Sequence, residues 1–206
     1  MQTQALTLRA SSLKENDRLI TVLTEQHGLM RAFANGARRP KSPLHAATQP
    51  FAYGQMQLIT RRDTYTVREA QAEGVFFAGL AADITRLALA NYFAALCIEF
   101  CPQQESAPEQ LRLLMNALHY LCEGTRPQLL LKAIVELRLL CLAGYAPDVL
   151  NPVVRHICDL PLARSFKLAL PEDDLQRLAK FAGDYVAKMA GRRFEELVYY
   201  QELEEN

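Results

Sequence analysis

A loop rich in arginine and lysine holds the residues of this sequence best suited to bind an anion. Arg38, Arg39 and Lys41 follow Gly36, and two prolines nearby exclude a central β-strand. Guanidinium and ammonium groups on a loop can reach phosphate oxygens, and such contacts give affinity without dependence on nucleotide sequence. The loop therefore predicts a polyanion-binding site, although a solvated basic loop is the common alternative.

The distribution of charge supports this interpretation more than the total charge does. The chain has 23 basic and 23 acidic residues, so its formal net charge is zero. Residues 26–62 nevertheless contain no acidic residue, and the whole of 1–76 has a basic excess. Local potential, not total charge, attracts an anionic polymer. The cations expected to bind phosphate are Arg31, Arg38, Arg39, Lys41, Arg61 and Arg62.

Aromatic residues in the same region could stack on bases. Phe33, Phe51 and Tyr53 lie in stretches that read as strands, and rings on small barrels often stack on unpaired bases. We expect Phe33 and Phe51 in the core and Tyr53 at the surface. Tyr53 is therefore the stacking candidate.

The N-terminal third predicts a small β-barrel. Short alternating or β-branched stretches are separated by turn residues, with no helix between them. These stretches are Gln4–Arg9, Leu19–Leu23, Leu29–Ala34, Pro50–Thr60 and Thr64–Ala70. Five such strands fit an OB-fold-like barrel over residues 1–73.

Near residue 74 the spacing of apolar residues changes from every second residue to a period of 3.6, which predicts an all-helical domain over 74–206. Together with the barrel, this predicts the α+β fold class. The predicted helices are Val75–Cys101, Ala107–Cys122, Gln128–Ala143, one that runs from Pro171 to Gly191, and a short final helix. Residues 151–169 give the least regular pattern.

Enzymatic chemistry finds little support. The sequence has no glycine-rich phosphate loop with a following lysine, and its four histidines stand in no ligand or triad spacing. We expect no catalytic residues and no cofactor.

The N-terminus lacks the plan of a signal peptide and no stretch is apolar enough to span a membrane, so we expect a cytoplasmic location.

Specific strings resemble those of the RecO family of DNA repair and recombination proteins. The N-terminal strings are LTEQHGL at 23–29, ANGARRPKS at 34–42 and QPF at 49–51. A second match comprises ELRLL at 136–140 and GYAP at 144–147. The resemblance covers about residues 1–148.

The resemblance implies an OB-fold domain followed by a helical domain. It also implies binding to single- and double-stranded DNA, annealing of complementary strands, and cooperation with RecR and single-stranded-DNA-binding protein (SSB) to load RecA during gap repair. SSB ends in an acidic tail with a terminal apolar residue, so its receptor needs an apolar pocket rimmed by a cation. The candidate cations are Lys132 and Arg138, with Arg112 and Arg126 in reserve. For any one of these cations, an ordinary surface charge is the more common interpretation.

The sequence departs from the family in its cysteines. Many members have a four-cysteine zinc module after the GYAP-like string, whereas residues 148–170 here contain only Cys158. Structural zinc requires four ligands, so we expect no zinc. Cys97 and Cys101 are expected to be buried core thiols, and Cys122, Cys141 and Cys158 are scattered along the sequence.

A second hypothesis remains open at this point. The chain could be a protein adaptor whose basic loop docks an acidic protein partner instead of DNA.

Overall fold

The computed structural model describes residues 1–61, 64–147 and 151–204. The chain forms two compact units. One comprises Met1–Ala78 with Cys101–Leu111, and the other comprises Gly79–Phe100 with Arg112–Asn206. The predicted domain boundary between residues 73 and 74 stays a prediction.

The first unit is built on a closed barrel of five strands. The strands are β1 (Gln2–Leu13), β2 (Asp17–Thr24), β3 (Gly28–Ala34), β4 (Ala52–Arg61) and β5 (Thr64–Val75). Their order around the barrel is β1-β2-β3-β5-β4. The β3–β5 pair is parallel and the other pairs are antiparallel. The predicted five-stranded OB-fold-like barrel, followed by a helical region, is confirmed.

Alternation along the strands separates the barrel core from its outer face. Ile20 and Val22 on β2, and Ala32 and Ala34 on β3, are fully buried in the core cluster. Successive side chains of a strand point to opposite faces. The residues between these positions therefore face outward, which places an arginine and a phenylalanine of β3 on the outside of the barrel.

A one-turn helix, α1 (Leu44–Ala47), interrupts the strands, contrary to the prediction. Its Leu44 and Ala47 are buried, and the helix packs against β4 and β5. Phe51 was expected within the fourth strand, but it precedes β4 with a φ of 60°, while its burial at 1% exposed places it in the core, as expected. A helix of one turn is too short to produce a period of 3.6 in the sequence.

The second unit contains most of the helices. They are α2 (Phe77–Ala81), α3 (Ile84–Phe100), α4 (Pro108–Glu123), α5 (Gln128–Leu142), α6 (Pro152–Asp159), α7 (Leu162–Ser165), α8 (Glu172–Ala190) and α9 (Glu195–Glu204). The first residues of α2 and of α4 belong to the first unit. Helix α5 packs against α3, α6 and α8, and α3 packs against α9. No helix in the described parts of the chain combines the length and the apolarity of a membrane span.

Two helix caps explain where the sequence prediction was wrong. The expected single helix over Val75–Cys101 is broken because Asp83 Oδ1 accepts hydrogen bonds from the N–H groups of Thr85 (2.9 Å) and Arg86 (3.4 Å) and thereby starts a new helix. The stretch expected to be irregular contains α6, which begins where Asn151 Oδ1 accepts from Val153 N–H at 2.9 Å.

Gly28 tests how tightly the segment 101–111 packs on the barrel. Its φ is +61°, and a Cβ placed there would lie 2.2 Å from the carbonyl oxygen of Pro102. We predict that Gly28→Ala lowers the free energy of unfolding by about 3 kcal/mol or more, because left-handed strain adds to a backbone clash. Urea unfolding measures this loss.

Gly36→Ala is the matched control, because Gly36 has a φ of +70° but its nearest Cβ neighbour is an Arg39 side-chain atom at 3.8 Å. At this position, left-handed backbone strain alone should lower the free energy of unfolding by about 1 kcal/mol. Equal losses in the two variants would contradict the packing that the structure assigns to Gly28.

Candidate nucleic-acid interface

The basic loop after β3 is held against the turn between β1 and β2. Asp17 Oδ1 accepts the N–H of Gly36 at 2.8 Å, and the N–H of Arg38 donates to the carbonyl oxygen of Asn16 at 2.9 Å. His45 Nδ1 lies 3.1 Å from the carbonyl oxygen of Ala37. These contacts give the loop a defined backbone instead of leaving it as a free chain.

Arg18 anchors the far end of the same loop. Its Nη1 donates to the carbonyl oxygen of His45 (3.0 Å) and to Thr48 Oγ1 (2.9 Å). Burial, and then the positive charge of Arg38, lower the pKa of Arg18. The two guanidinium groups are therefore close enough to repel each other, and the carbonyl acceptors offset that repulsion.

The loop cations predicted from the sequence are exposed. Arg38, Arg39 and Lys41 all face solvent, and Arg38 Nη1 donates to the carbonyl oxygen of Lys14 at 3.3 Å. Lys14 is itself exposed, in the β1–β2 turn. Sequence reasoning missed Lys14, because only the barrel brings that turn beside the loop. The structure thus places a fourth cation near the three expected ones.

Strand register places two more arginines on the outer face of the barrel. Thr21 on β2 pairs with Arg9 on β1 and with Arg31 on β3. Directly opposed residues of antiparallel strands point to the same face. Arg9 and Arg31 are both exposed and flank Thr21. Arg31 was a predicted cation, whereas Arg9 was missed, because no sequence signal fixes which residue of β1 opposes it.

An apolar row lies beside this pair of arginines. Leu19 on β2 pairs with Ser11 on β1 and with Phe33 on β3. Phe33 is half-buried and lies two residues from Arg31, on the same outer face of the strand. The expectation that Phe33 belongs to the core is wrong, since the neighbouring positions 32 and 34 are the ones that point inward. Phe33 is therefore a half-buried aromatic ring on the same outer face of β3 as Arg31.

Tyr53 has different neighbours. It is half-buried on β4, and burial, followed by the charges of Glu73 and Glu25, raises its pKa. Carboxylates this near would repel the phosphates that accompany a stacked base. The structure does not bring Tyr53 together with the exposed cations, so Phe33 replaces it as the stacking candidate.

Two predicted cations can be placed only in part. Arg61 is the last residue of β4, and its backbone pairs with Thr64 on β5. Arg62 lies outside the described residues.

Lys132 does not lie at the surface, so the expectation of an exposed docking cation there is wrong. Its side chain is 5% exposed, and its Nζ lies 2.9 and 3.0 Å from the two carboxylate oxygens of Glu136. Glu136 is fully buried and also accepts a hydrogen bond from the hydroxyl of Tyr92 at 2.6 Å. Burial raises the pKa of Glu136, and the Lys132 ammonium opposes that rise. The lysine is thus the counter-ion of a buried carboxylate.

The other three helical candidates are also separate from any common site. Arg138 is half-buried and donates from Nη1 to the carbonyl oxygens of Ile157 (3.2 Å), Cys158 and Leu160 (2.9 Å). It is a structural tether of α6, not a docking cation. Arg112 is exposed and Arg126 is half-buried. Neither is among the described residues that line the cavity below.

A cavity of about 380 Å³ lies within the helical unit between α5, α8 and the start of α9. Its apolar lining includes Leu129, Val186 and Leu197. Lys132 lines it from the interior, and the exposed Lys180 and Arg193 lie at its rim. The structure therefore contains a partly apolar pocket with two cations and the carboxylate of Asp184 at its edge, and the rim cations are not the ones expected from the sequence.

Two models of one protein family match the barrel region and the helical region of this chain. The family model described as "Recombination protein O N terminal" matches residues 1–76, and "Recombination protein O C terminal" matches residues 81–156. The chain belongs to the RecO family. The first match covers the barrel that carries the basic loop, and the second covers the helices as far as α6.

Curated relatives support the same assignment. "DNA repair protein RecO" of Desulforudis audaxviator is 37% identical over 148 residues, which is 72% of this chain and 58% of the relative. Its namesake in Heliobacterium modesticaldum is 38% identical over 149 residues, 72% of this chain and 53% of the relative. That of Cutibacterium acnes is 34% identical over 156 residues, 73% of this chain and 63% of the relative. The matches thus span little more than half the length of these relatives.

Substitutions of Phe33 and Tyr53 are expected to differ in their effect on oligonucleotide affinity. We expect Phe33→Ala to weaken binding of a labelled single-stranded oligonucleotide by about 5- to 150-fold, because one base–aromatic stack contributes roughly 1–3 kcal/mol. The salt dependence should not change, since no cation is lost. Fluorescence anisotropy at several salt concentrations measures both quantities.

Tyr53→Ala is the control for this experiment, and its affinity should stay within about twofold of the unaltered chain, because its ring stands beside carboxylates. The reverse ranking of the two variants would contradict the placement of the stacking site on β3.

Proposed function

We propose that this chain binds the backbone of single- and double-stranded DNA through its barrel and anneals complementary strands without covalent chemistry. The observation that supports this most is the exposed basic surface made by the loop after β3, the β1–β2 turn and the outer face of β1 and β3. We name it the barrel surface, and its cations are Arg9, Lys14, Arg31, Arg38, Arg39 and Lys41.

Neutralisation of phosphate charge is sufficient to explain how this chain would anneal DNA strands. Two complementary strands repel each other through their phosphates, and a protein that neutralises those phosphates raises the encounter rate. Phosphate contacts position the strands without reading their sequence. Phe33 adds a ring on which any base could stack, so the surface suits unpaired strands of arbitrary sequence.

Membership of the RecO family supports the wider role. In that role the chain acts in the cytoplasm as a recombination mediator and, together with RecR, helps to load RecA onto single-stranded DNA covered by SSB. The chain spans just over half the length of the relatives it matches, so this role is a proposal for the chain.

We predict that the double variant Arg38→Glu and Arg39→Glu lowers the annealing rate of complementary oligonucleotides by about tenfold or more at low salt, because two phosphate contacts become repulsive. A fluorescence-quenching annealing assay measures the rate. The fold should persist, since both side chains are exposed and a glutamate at 38 would lie near Arg18.

The matched control is Arg155→Glu with Arg177→Glu, which makes the same change of charge at exposed arginines of the helical unit. It should anneal at the rate of the unaltered chain. If both pairs slowed annealing equally, net charge would explain the effect. If the loop pair changed nothing, the alternative of a protein adaptor whose basic loop docks an acidic partner would be favoured.

We further propose that the cavity of the helical unit receives the acidic C-terminal tail of SSB. An apolar terminal side chain suits the lining, and the tail carboxylates suit Lys180 and Arg193 at the rim. Lys180 also pairs with Asp184 at 2.7 Å, so a bound tail must compete with that carboxylate. Arg193 is the cation that we expect to contribute more.

A synthetic acidic peptide that ends in phenylalanine tests this site. We expect Arg193→Glu with Lys180→Glu to weaken peptide binding by about tenfold or more while oligonucleotide affinity stays unchanged. Lys188→Glu, at another exposed position of α8, is the control. Isothermal titration calorimetry measures the affinities. Unchanged peptide affinity in the rim variant would place the tail elsewhere.

A further inference from the structure

Two cysteines that are 17 residues apart in the sequence meet in the helical unit. Cys141 lies in the last turn of α5, and Cys158 lies near the end of α6. Their sulfur atoms are 2.7 Å apart and share a thiol–thiol hydrogen bond. No disulfide joins the two residues, and both are half-buried. The pair is thus close enough to react and exposed enough to be reached by a small molecule.

Interactions that do not involve sulfur hold the pair together. Arg138 lies one turn before Cys141 on α5, and its guanidinium donates to the carbonyl oxygens of Ile157, Cys158 and Leu160. This fixes the end of α6 against α5. The two thiols are therefore already placed for bond formation, and little ordering of the chain is needed when they react.

The surroundings also distinguish the two sulfurs. The hydrogen bond with Cys158 lowers the pKa of the Cys141 thiol, and the nearby Arg138 charge lowers it further. The same hydrogen bond raises the pKa of the Cys158 thiol. Cys141 is thus the first of the two to ionise, and a thiolate, not a thiol, is the reactive nucleophile.

We propose that Cys141 and Cys158 form an oxidisable dithiol that a small-molecule disulfide closes to an intramolecular disulfide and that a thiol reductant reopens. The closed form would join α5 to α6 covalently at the place where Arg138 already tethers them.

The reaction balances as two thiol–disulfide exchanges. The Cys141 thiolate attacks one sulfur of the oxidant, which forms a mixed disulfide and releases one small thiolate. Cys158 loses its proton to solvent and attacks the Cys141 sulfur, which releases the second small thiolate. The protein gives up two electrons and two protons, and the oxidant gains the two electrons.

The other cysteines provide internal comparisons. Cys97 and Cys101 are 1% and 7% exposed, so an oxidant reaches them poorly. Cys122 is half-buried like the pair, but it lies on α4 in the vicinity of Gly79. Cys122 therefore reports how far a half-buried thiol reacts outside the pair.

The experiment treats the full-length chain with oxidised glutathione, blocks remaining thiols with N-ethylmaleimide, and digests with trypsin. Cleavage after Arg138, Arg155 and Arg164 puts the two cysteines on separate peptides, Leu139–Arg155 and His156–Arg164. We expect these peptides to appear joined, and to separate after dithiothreitol. The melting temperature of the oxidised chain should rise by about 5 °C, because the unfolded chain is constrained.

Cys141→Ser and Cys158→Ser should each abolish the joined peptide and the rise in melting temperature, whereas Cys122→Ser should retain both. The proposal is overturned if the unaltered chain shows Cys141 and Cys158 only as separate maleimide or glutathione adducts at an oxidant concentration that already modifies Cys122. This outcome does not require any variant to fold.

Discussion

Two adjacent residues at the start of β2 hold the proposed interface together. Asp17 accepts the N–H of Gly36, and Arg18 reaches the far end of the same loop at His45 and Thr48. Without these anchors a loop with three exposed cations would repel itself and spread into solvent. Because its backbone is fixed in advance, the loop would lose less conformational entropy in the proposed binding to DNA.

The barrel determines which charges can act together. Register on three neighbouring strands sets Arg9 and Arg31 on either side of Thr21, with Phe33 two residues further along β3. Two acidic residues of the same unit, Glu25 and Glu73, instead lie near Tyr53 and raise its pKa. A chain of zero net charge can still present a basic surface here, because the six exposed cations outnumber the nearby acidic residues Glu15 and Asp17.

Sequence reasoning reached the features that depend on local pattern and missed those that depend on contact. The five strands, the cations of the basic loop and the main helices follow from periodicity and composition. The role of Phe33 required knowing which face of β3 points inward. Lys132 was misplaced because its partner, Glu136, lies one helical turn further on, and a Lys–Glu pair with this spacing is typical of an exposed helix face. The Cys141–Cys158 contact needed the packing of α6 on α5.

The slope of the logarithm of the binding constant against the logarithm of salt concentration, measured for the whole chain and a single-stranded homopolymer, tests the central claim most directly. Each phosphate contact on a single strand contributes about −0.7 to this slope. With most of the barrel-surface cations engaged, we expect a slope of about −3 or steeper. A slope near zero, or no binding at about 50 mM salt, would contradict it.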